Sequence, residues 1–476
     1  MNSGEESDPE GTPPLPSATL AAAAAPAAEA ALRRGPRTGY ADIWGLSWPV
    51  MLSQALANAV SLIDVAMVGR LGSDAVAAVG YAGQFFSLAQ SVLFAVSAAC
   101  VALMARAIGA GSALRARRSL AASIATATAT AALISAVVVA SPRTLLRALG
   151  AEPAVIELAI PYLWLLLGSS LLLAPSMMLE SGLRANRDTR TPMLIALVVT
   201  IVKVLGNAVL IFGALGLPRL ELVGAGIATA VAQVVGLALF ATVCAREEPG
   251  APRAVGVADF RAAGSRLPSV MRLALPGIGE RLAMNVGLLV YFRVLAHYGT
   301  EAIAAYTVGV RLLAFSWIPG TGLGVAAATL VGQALGAGDA RGATRTGWRT
   351  MRLALLVAVV LGAVCALWRV ELAQLFVDDP ATVAALLPFL LCLAVSQPFL
   401  QAHFALGGAH RGAGDTTTPF LAATAGSWVF RLPLAFGLAY GLDAPIAWVW
   451  WALSVDHLTR MAWMAWSFRR GRWLRA

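Results

Sequence analysis

Apolar residues run along this chain in long solid blocks, separated by short stretches rich in glycine, proline and arginine. Twelve blocks begin near residues 45, 80, 117, 156, 192, 222, 270, 303, 346, 381, 419 and 445. Each is long enough to cross ~30 Å of hydrocarbon as a helix, which takes about 20 residues. A membrane strand would alternate apolar with polar positions, and these blocks do not. The pattern therefore predicts an all-α polytopic membrane protein with twelve transmembrane helices. Composition agrees: the 476 residues are 59% hydrophobic and 13% charged, against about half and a quarter in soluble domains.

A formal charge of +10 raises nucleic acid as a partner, but the placement of the arginines argues against it. Arg33, Arg34 and Arg37 precede the first block; Arg106, Arg115, Arg117 and Arg118 follow the second. Arg184, Arg187 and Arg190 follow the fourth, Arg246, Arg253, Arg261, Arg266 and Arg272 the sixth, and Arg341, Arg345, Arg349 and Arg352 the eighth. Arg469, Arg470, Arg472 and Arg475 end the chain, while the intervening loops are short and poor in arginine. This alternation follows the positive-inside rule and puts both termini in the cytoplasm. Residues 1–40, acidic, then Pro/Ala-rich, then basic, read as a disordered cytoplasmic tail, and 469–476 as a basic cytoplasmic tail. Cys100, Cys244, Cys365 and Cys392 are scattered through apolar blocks and read as small buried hydrophobes.

The chain contains itself twice. "LGSDAVAAVG" at Leu71 resembles "YGTEAIAAYT" at Tyr298, and "RANRDTRTPM" at Arg184 resembles "RGAGDTTTPF" at Arg411. Gly72 and Gly299, Gly109 and Gly336, Asp188 and Asp415, and Pro192 and Pro419 are all 227 residues apart. Six spans per copy is an even number, so the copies insert with the same orientation, as two parallel lobes around a central cleft. The expected organisation is an N-lobe over 41–245, a cytoplasmic linker over 246–269 that is rich in Pro and Gly, and a C-lobe over 270–468.

Ionisable residues inside spans are functional candidates, because they are costly there unless paired or hydrated. Asp64 lies near the outer end of the first span. Lys203, the only lysine in the chain, shares a helical face with Asn207 in the fifth. Tyr162 in the fourth span and Thr229 and Gln233 in the sixth reach a similar depth. The equivalents of Asp64 and Lys203 in the second copy are Tyr291 and Phe430, so these charges are private to the first lobe. Lysine is the choice over arginine where protonation must be movable, and Lys203 is the expected partner of Asp64. In the C-lobe, Glu280 and Arg281 read either as a gate or as a helix-start pair, and Arg311 and Arg431 as braces onto backbone carbonyls or, as the alternative, as substrate contacts; with Thr229 and Gln233 these four are the candidates for the substrate cleft. Glu180 and Arg184 form an i,i+4 structural pair. His297, His403, His410 and His457 form no metal or nucleophile constellation, and Gly109/Gly111 and Gly336/Gly338 read as turns with no phosphate-binding lysine after them. No cofactor or metal is called for.

"LIDVAMVGRLGSDAVAAVG", "GLRANRDTRTP", "LPGIGERLAMN" and "TLVGQALGAGD", taken in their duplicated order, resemble the multidrug and toxic compound extrusion (MATE) family over roughly residues 45–466, and its DinF-like branch in particular. The resemblance implies a monomeric antiporter of the bacterial inner membrane that exports small organic compounds against inward protons or sodium. It also implies that Asp64 binds the coupling ion, that Lys203, Asn207 and Tyr162 complete its polar network, and that Pro49 is a hinge. Lys203 departs from the family pattern by placing a cation where many relatives have an amide, which favours protons over sodium. A flippase for a lipid-linked precursor is the competing expectation. A membrane enzyme would need clustered His, Asp or Cys at a membrane face, and no such cluster is visible.

Overall fold

The structure, a computed structural model, describes residues 38–216, 218–246 and 251–475. Twelve long helices account for most of them: α1 (Tyr40–Gly69), α2 (Ser73–Gly109), α3 (Ala113–Ala140), α4 (Pro153–Ala185), α5 (Arg190–Phe212), α6 (Glu221–Ala245), α7 (Leu267–Leu295), α8 (Thr300–Gly336), α9 (Ala340–Leu367), α10 (Pro380–Gly412), α11 (Thr417–Gly441) and α12 (Ile446–Arg470). Among the described residues, the first eleven are long and apolar enough to span a membrane. α12 matches them in length but carries Asp456, His457 and Arg460 at its middle, which lower its hydropathy.

Of the amino-terminal tail, residues 1–37 lie outside the described range, and α1 already takes in Tyr40. Residues 247–250 of the linker also lie outside it. The rest of the linker is more structured than its Pro/Gly content predicts. Val257–Arg261 is a helical turn whose Asp259 pairs with Arg117 of α3 at 3.3 Å. At the other end of the chain, Trp473 folds back onto α12, its ring stacked on Phe468 at 4.3 Å and its Nε1–H donated to the Phe468 carbonyl.

The duplication extends to individual hydrogen bonds. Asp188 Oδ1 accepts from the Thr191 N–H at 3.0 Å to start α5, and Asp415 Oδ1 accepts from the Thr418 N–H at 3.0 Å to start α11. Ser112 caps α3 through the Arg115 N–H, and Asp339 caps α9 through the Gly342 N–H. Burial alone would raise the Asp415 carboxyl. The His410 Nδ1 contact at 2.9 Å and the Thr418 bonds outweigh burial and hold it below the usual carboxylate range. Gly414 is left-handed (φ 87°), and its N-lobe counterpart Arg187 adopts the same conformation (φ 63°) without glycine's freedom.

Arg187 has a contact that Gly414 cannot make, because its Nε donates to Gln333 Oε1 in the other lobe at 2.5 Å. This bond is part of a seam where α2 and α4 of the N-lobe (α1–α6) meet α8 and α10 of the C-lobe (α7–α12). Gln333 Nε2 donates to the Ala185 carbonyl, Thr329 Oγ1 to the Arg184 carbonyl, and Arg106 Nη1 to the Ala413 carbonyl. At its centre, Gly109 and Gly336, equivalent by the repeat, let two backbones touch. A Cβ on Gly109 would sit 2.0 Å from the Gln333 carbonyl oxygen, and one on Gly336 would sit 2.1 Å from that of Arg106. These two glycines are therefore packing residues rather than turns; the turns are made by Gly111 and Gly338 (φ 67° and 77°). Among the described residues, the hydrogen bonds between lobes lie at the arginine-rich end of the bundle, and the cleft opens towards the other.

Gly336→Val should therefore open the seam. An overpacking cost of roughly 1–3 kcal/mol on the closed arrangement corresponds to a shift of about 5- to 150-fold in its population. A cysteine placed at Ala105, which is buried against Gly332 of the seam, is expected in that background to react with a maleimide faster by a factor in that range. An unchanged labelling rate would show that the seam yields elsewhere.

Candidate functional site

α5 packs against α1, and that packing brings together the two charges the sequence set 139 positions apart. Asp64 sits five residues before the end of α1. Lys203 and Asn207 stand one turn apart on the facing side of α5. Lys203 Nζ donates to Asp64 Oδ2, and Asn207 Nδ2 donates to Asp64 Oδ1 at 2.6 Å. Both carboxylate oxygens are thus engaged, one by a full charge and one by an amide dipole. The Lys203 and Asp64 side chains keep 20% and 24% of their surface open, so the pair is sheltered without being sealed. Asn207 is fully buried, and its Oδ1 has no donor among the described residues.

Tyr162 of α4 completes the group. It is buried and lies near enough to Asp64 to interact with it electrostatically. Gly226 of α6 makes room for it, since a Cβ there would meet Leu165 at 2.7 Å and the Tyr162 ring at 3.3 Å. The other two N-lobe candidates stay outside the hydrogen-bonded group. Thr229 Oγ1 donates to the Ala225 carbonyl of its own helix at 2.9 Å, and Gln233 is half-buried further along α6. Pro49 lies inside α1, which runs through it without interruption; the missing N–H leaves one carbonyl of the preceding turn without its helical donor.

In the C-lobe three expectations need correction. Glu280 makes no ion pair with its neighbour Arg281, on which it acts only through space. Both its oxygens accept from Arg411 Nη2 at 2.8 Å, a long side chain reaching across from the end of α10. Arg281 instead lies over the Phe94 ring of α2, 5.6 Å from its centroid. Neither Arg311 nor Arg431 braces a backbone carbonyl. Arg431 Nη2 donates to the Tyr306 hydroxyl at 2.9 Å, and its guanidinium lies 4.1 Å from the centroid of Tyr291. Arg311 is exposed on α8. Tyr291 is the counterpart of Asp64, so where the N-lobe has an ion pair the C-lobe has a cation over an aromatic face. The cation there is Arg431 rather than a residue at Phe430 itself. A π-helical stretch over Ala425–Arg431 adds a residue to the turn and brings Arg431 round in its place.

Sequence reading missed the most buried ion pair. Asp456 and Arg460 of α12 are 0% and 4% exposed, joined at 2.5 and 2.8 Å, with Arg460 Nη2 also donating to Ser427 Oγ. Beside them His403 and His457 stack at 5.6 Å. The signal was available: an acid and a base four apart in the middle of a span. Glu180 and Arg184 do form their expected pair. Among the described residues no group of three or more His, Cys, Asp or Glu is placed to hold a metal ion.

Twelve helices in two like-oriented lobes, closed at one end over a cleft and holding a sheltered ionisable group in one lobe, form the architecture of a secondary transporter. Comparison with known proteins places it further. The MatE family matches residues 49–209 and again 276–437. A protein described as "Probable multidrug resistance protein NorM" from Rhodopseudomonas palustris is 31% identical over 473 residues, 96% of each chain. One so described from Thermotoga maritima is 28% identical over 432 residues, 90% of this chain and 92% of the relative. The Vibrio cholerae MATE transporter VcmN in its bent form shares the fold, with a TM-score of 0.82 at 21% identity over 92% of this chain and 97% of that one. The chain belongs to the MATE family of multidrug efflux transporters, whose members move compounds across membranes and are not enzymes.

Proposed function

We propose that this protein exports small organic compounds across the bacterial cytoplasmic membrane in exchange for inward protons, as a monomer whose two lobes give alternating access. The arginine-rich end is taken as cytoplasmic by the positive-inside rule. The seam then closes the cytoplasmic side, and Asp64 lies about 8 Å below the outer end of α1 at the helical rise, within reach of external protons. A proton on Asp64 removes the charge that Lys203 and Asn207 hold. The lysine is left unpaired in a low-dielectric lobe, and the N-lobe rearranges, with α1 free to bend at Pro49 where a backbone bond is missing. Release of the proton to the cytoplasm resets the pair. Tyr162 fixes the site's shape, and Thr229 and Gln233 follow Gly226 along α6, the helix that packs on Tyr162.

The observation that carries proton coupling is the Lys203 ammonium donating to the Asp64 carboxylate. A sodium site wants several oxygen ligands, and an ammonium beside the lone carboxylate competes with the metal cation. In proteoliposomes at clamped pH and membrane potential, an imposed sodium gradient is expected to leave export at background, while an imposed pH gradient drives it. Export that follows sodium under those conditions would refute proton coupling.

A further inference from the structure

The wall that the C-lobe turns towards the cleft carries two guanidiniums that no carboxylate bonds; Glu280 acts on Arg281 only through space, both its oxygens being taken by Arg411. On α7, Gly277 packs against α2, and a Cβ there would lie 3.1 Å from Ala95 Cβ. Arg281 is one turn further along the same face, over Phe94 of α2. On α8, Gly322 fits against Met51 and the Ser47 carbonyl of α1. Arg311 lies eleven residues before it, three turns along the same stripe, with Phe315 between them. Both helix faces are therefore closed against the N-lobe below and open above. Arg281 and Arg311 are exposed, and Phe94 and Phe315 are each 39% exposed. Counted from Gly277 and Gly322, Arg281 stands four residues and Arg311 eleven residues further out, about 6 and 16 Å at the helical rise, so the two guanidiniums follow one another in depth above the seam. An arginine at such depth faces a water-filled cavity rather than lipid.

No carboxylate is left over to neutralise them. Among the described residues the acids set within the spans are already engaged: Asp64 by Lys203 and Asn207, Glu180 by Arg184, Glu280 by Arg411, Asp456 by Arg460. The N-lobe faces opposite add Asn58 on the Ser47–Met51 stripe and Ser91 on the Ala95 stripe, which can hydrogen-bond but carry no charge.

We propose that the cleft recognises organic anions: compounds with an aromatic body and an oxyanion group, a carboxylate, sulfonate or phosphate. The oxyanion takes the Arg281 guanidinium, whose paired N–H donors suit it, and Arg311, nearer the mouth, adds positive charge along the way in. The aromatic body lies along Phe94 and Phe315. A cation of the same size meets two like charges and no acid. This inference deepens the export reading and rests on it for the direction of movement.

The test compares naphthalene-2-sulfonate, a naphthyl trimethylammonium salt and uncharged 2-methoxynaphthalene, binding to the detergent-purified full-length protein by calorimetry. The sulfonate is expected to bind at least about tenfold more tightly than the ammonium compound. Arg281→Ala is expected to weaken it about tenfold, the loss of one charged hydrogen-bonding group, and Arg311→Ala by a smaller factor that shrinks further with added salt, while binding of the neutral compound stays unchanged. Arg281→Lys and Arg311→Lys should keep part of the preference, and unchanged binding of 2-methoxynaphthalene certifies that each variant is folded. Equal or tighter binding of the cation, a sulfonate affinity indifferent to both arginines, or no binding of any of the three overturns the proposal. Vesicle transport separates the two readings. Selective sulfonate binding without movement under a pH gradient defeats proton-coupled export alone. Gradient-driven export with no preference for the anion defeats this inference alone.

Discussion

Asp64→Asn is expected to fold and insert, yet to lose gradient-driven export down to the passive background. The amide has the shape of the carboxylic acid and can still accept a bond from Lys203, so the α1–α5 contact persists. What disappears is the charge that comes and goes. The variant is fixed in the state that protonated Asp64 visits only transiently, with Lys203 lacking a counter-ion. Breaking a buried pair from one side costs about 3–5 kcal/mol, and the low end applies because about a fifth of each side chain remains open. That is enough to hold a two-state element almost wholly on one side. Export by Asp64→Asn that still answers an imposed pH gradient would remove Asp64 from the coupling step.

Lys203→Ala carries the second large effect, and combining it with a change at Asp64 distinguishes a coupling role from a structural one. Gradient-driven export should fall towards the passive background, because the ammonium that the Asp64 charge holds and releases is gone. Thermal stability should fall, because Asp64 is left with Asn207 alone. In the double variant Asp64→Ala/Lys203→Ala no uncompensated charge remains, and stability should recover above that of either single variant. Full export by Lys203→Ala, together with additive stability losses, would mean that the two side chains do not act on each other.

The parts of the site that were readable from sequence are those where a single residue type breaks a strong local rule. A carboxylate or the sole lysine inside a solid apolar block stands out because hydrocarbon penalises charge. Asp64 and Lys203 were visible for that reason, and the spacing of Lys203 and Asn207 put both on one face. Glu280 and Arg281 show where this reasoning ends. Adjacent opposite charges suggest a pair, but consecutive helical residues point about 100° apart, and the long side chain of Arg411, reaching from the end of α10, takes Glu280 instead. The same limit hid the partner of Arg431, since a π-helical stretch shifts facing directions without leaving a mark in the hydrophobic pattern.

Taken alone, the sequence determined the twelve spans, their alternating arginine loops, the two-fold duplication and the family. Each of these depends on length, composition or linear order, which transfer into the bilayer without knowledge of the fold. Only the tertiary structure decided which charges meet. It joined α1 to α5 so that Lys203 reaches Asp64, and buried Asp456 on Arg460. It brought Gly109 and Gly336 to opposite sides of the seam, and left Arg281 and Arg311 facing open space. Those outcomes depend on the direction in which each helix turns its side chains and on which helix becomes its neighbour, and both are set by packing between segments far apart in the chain.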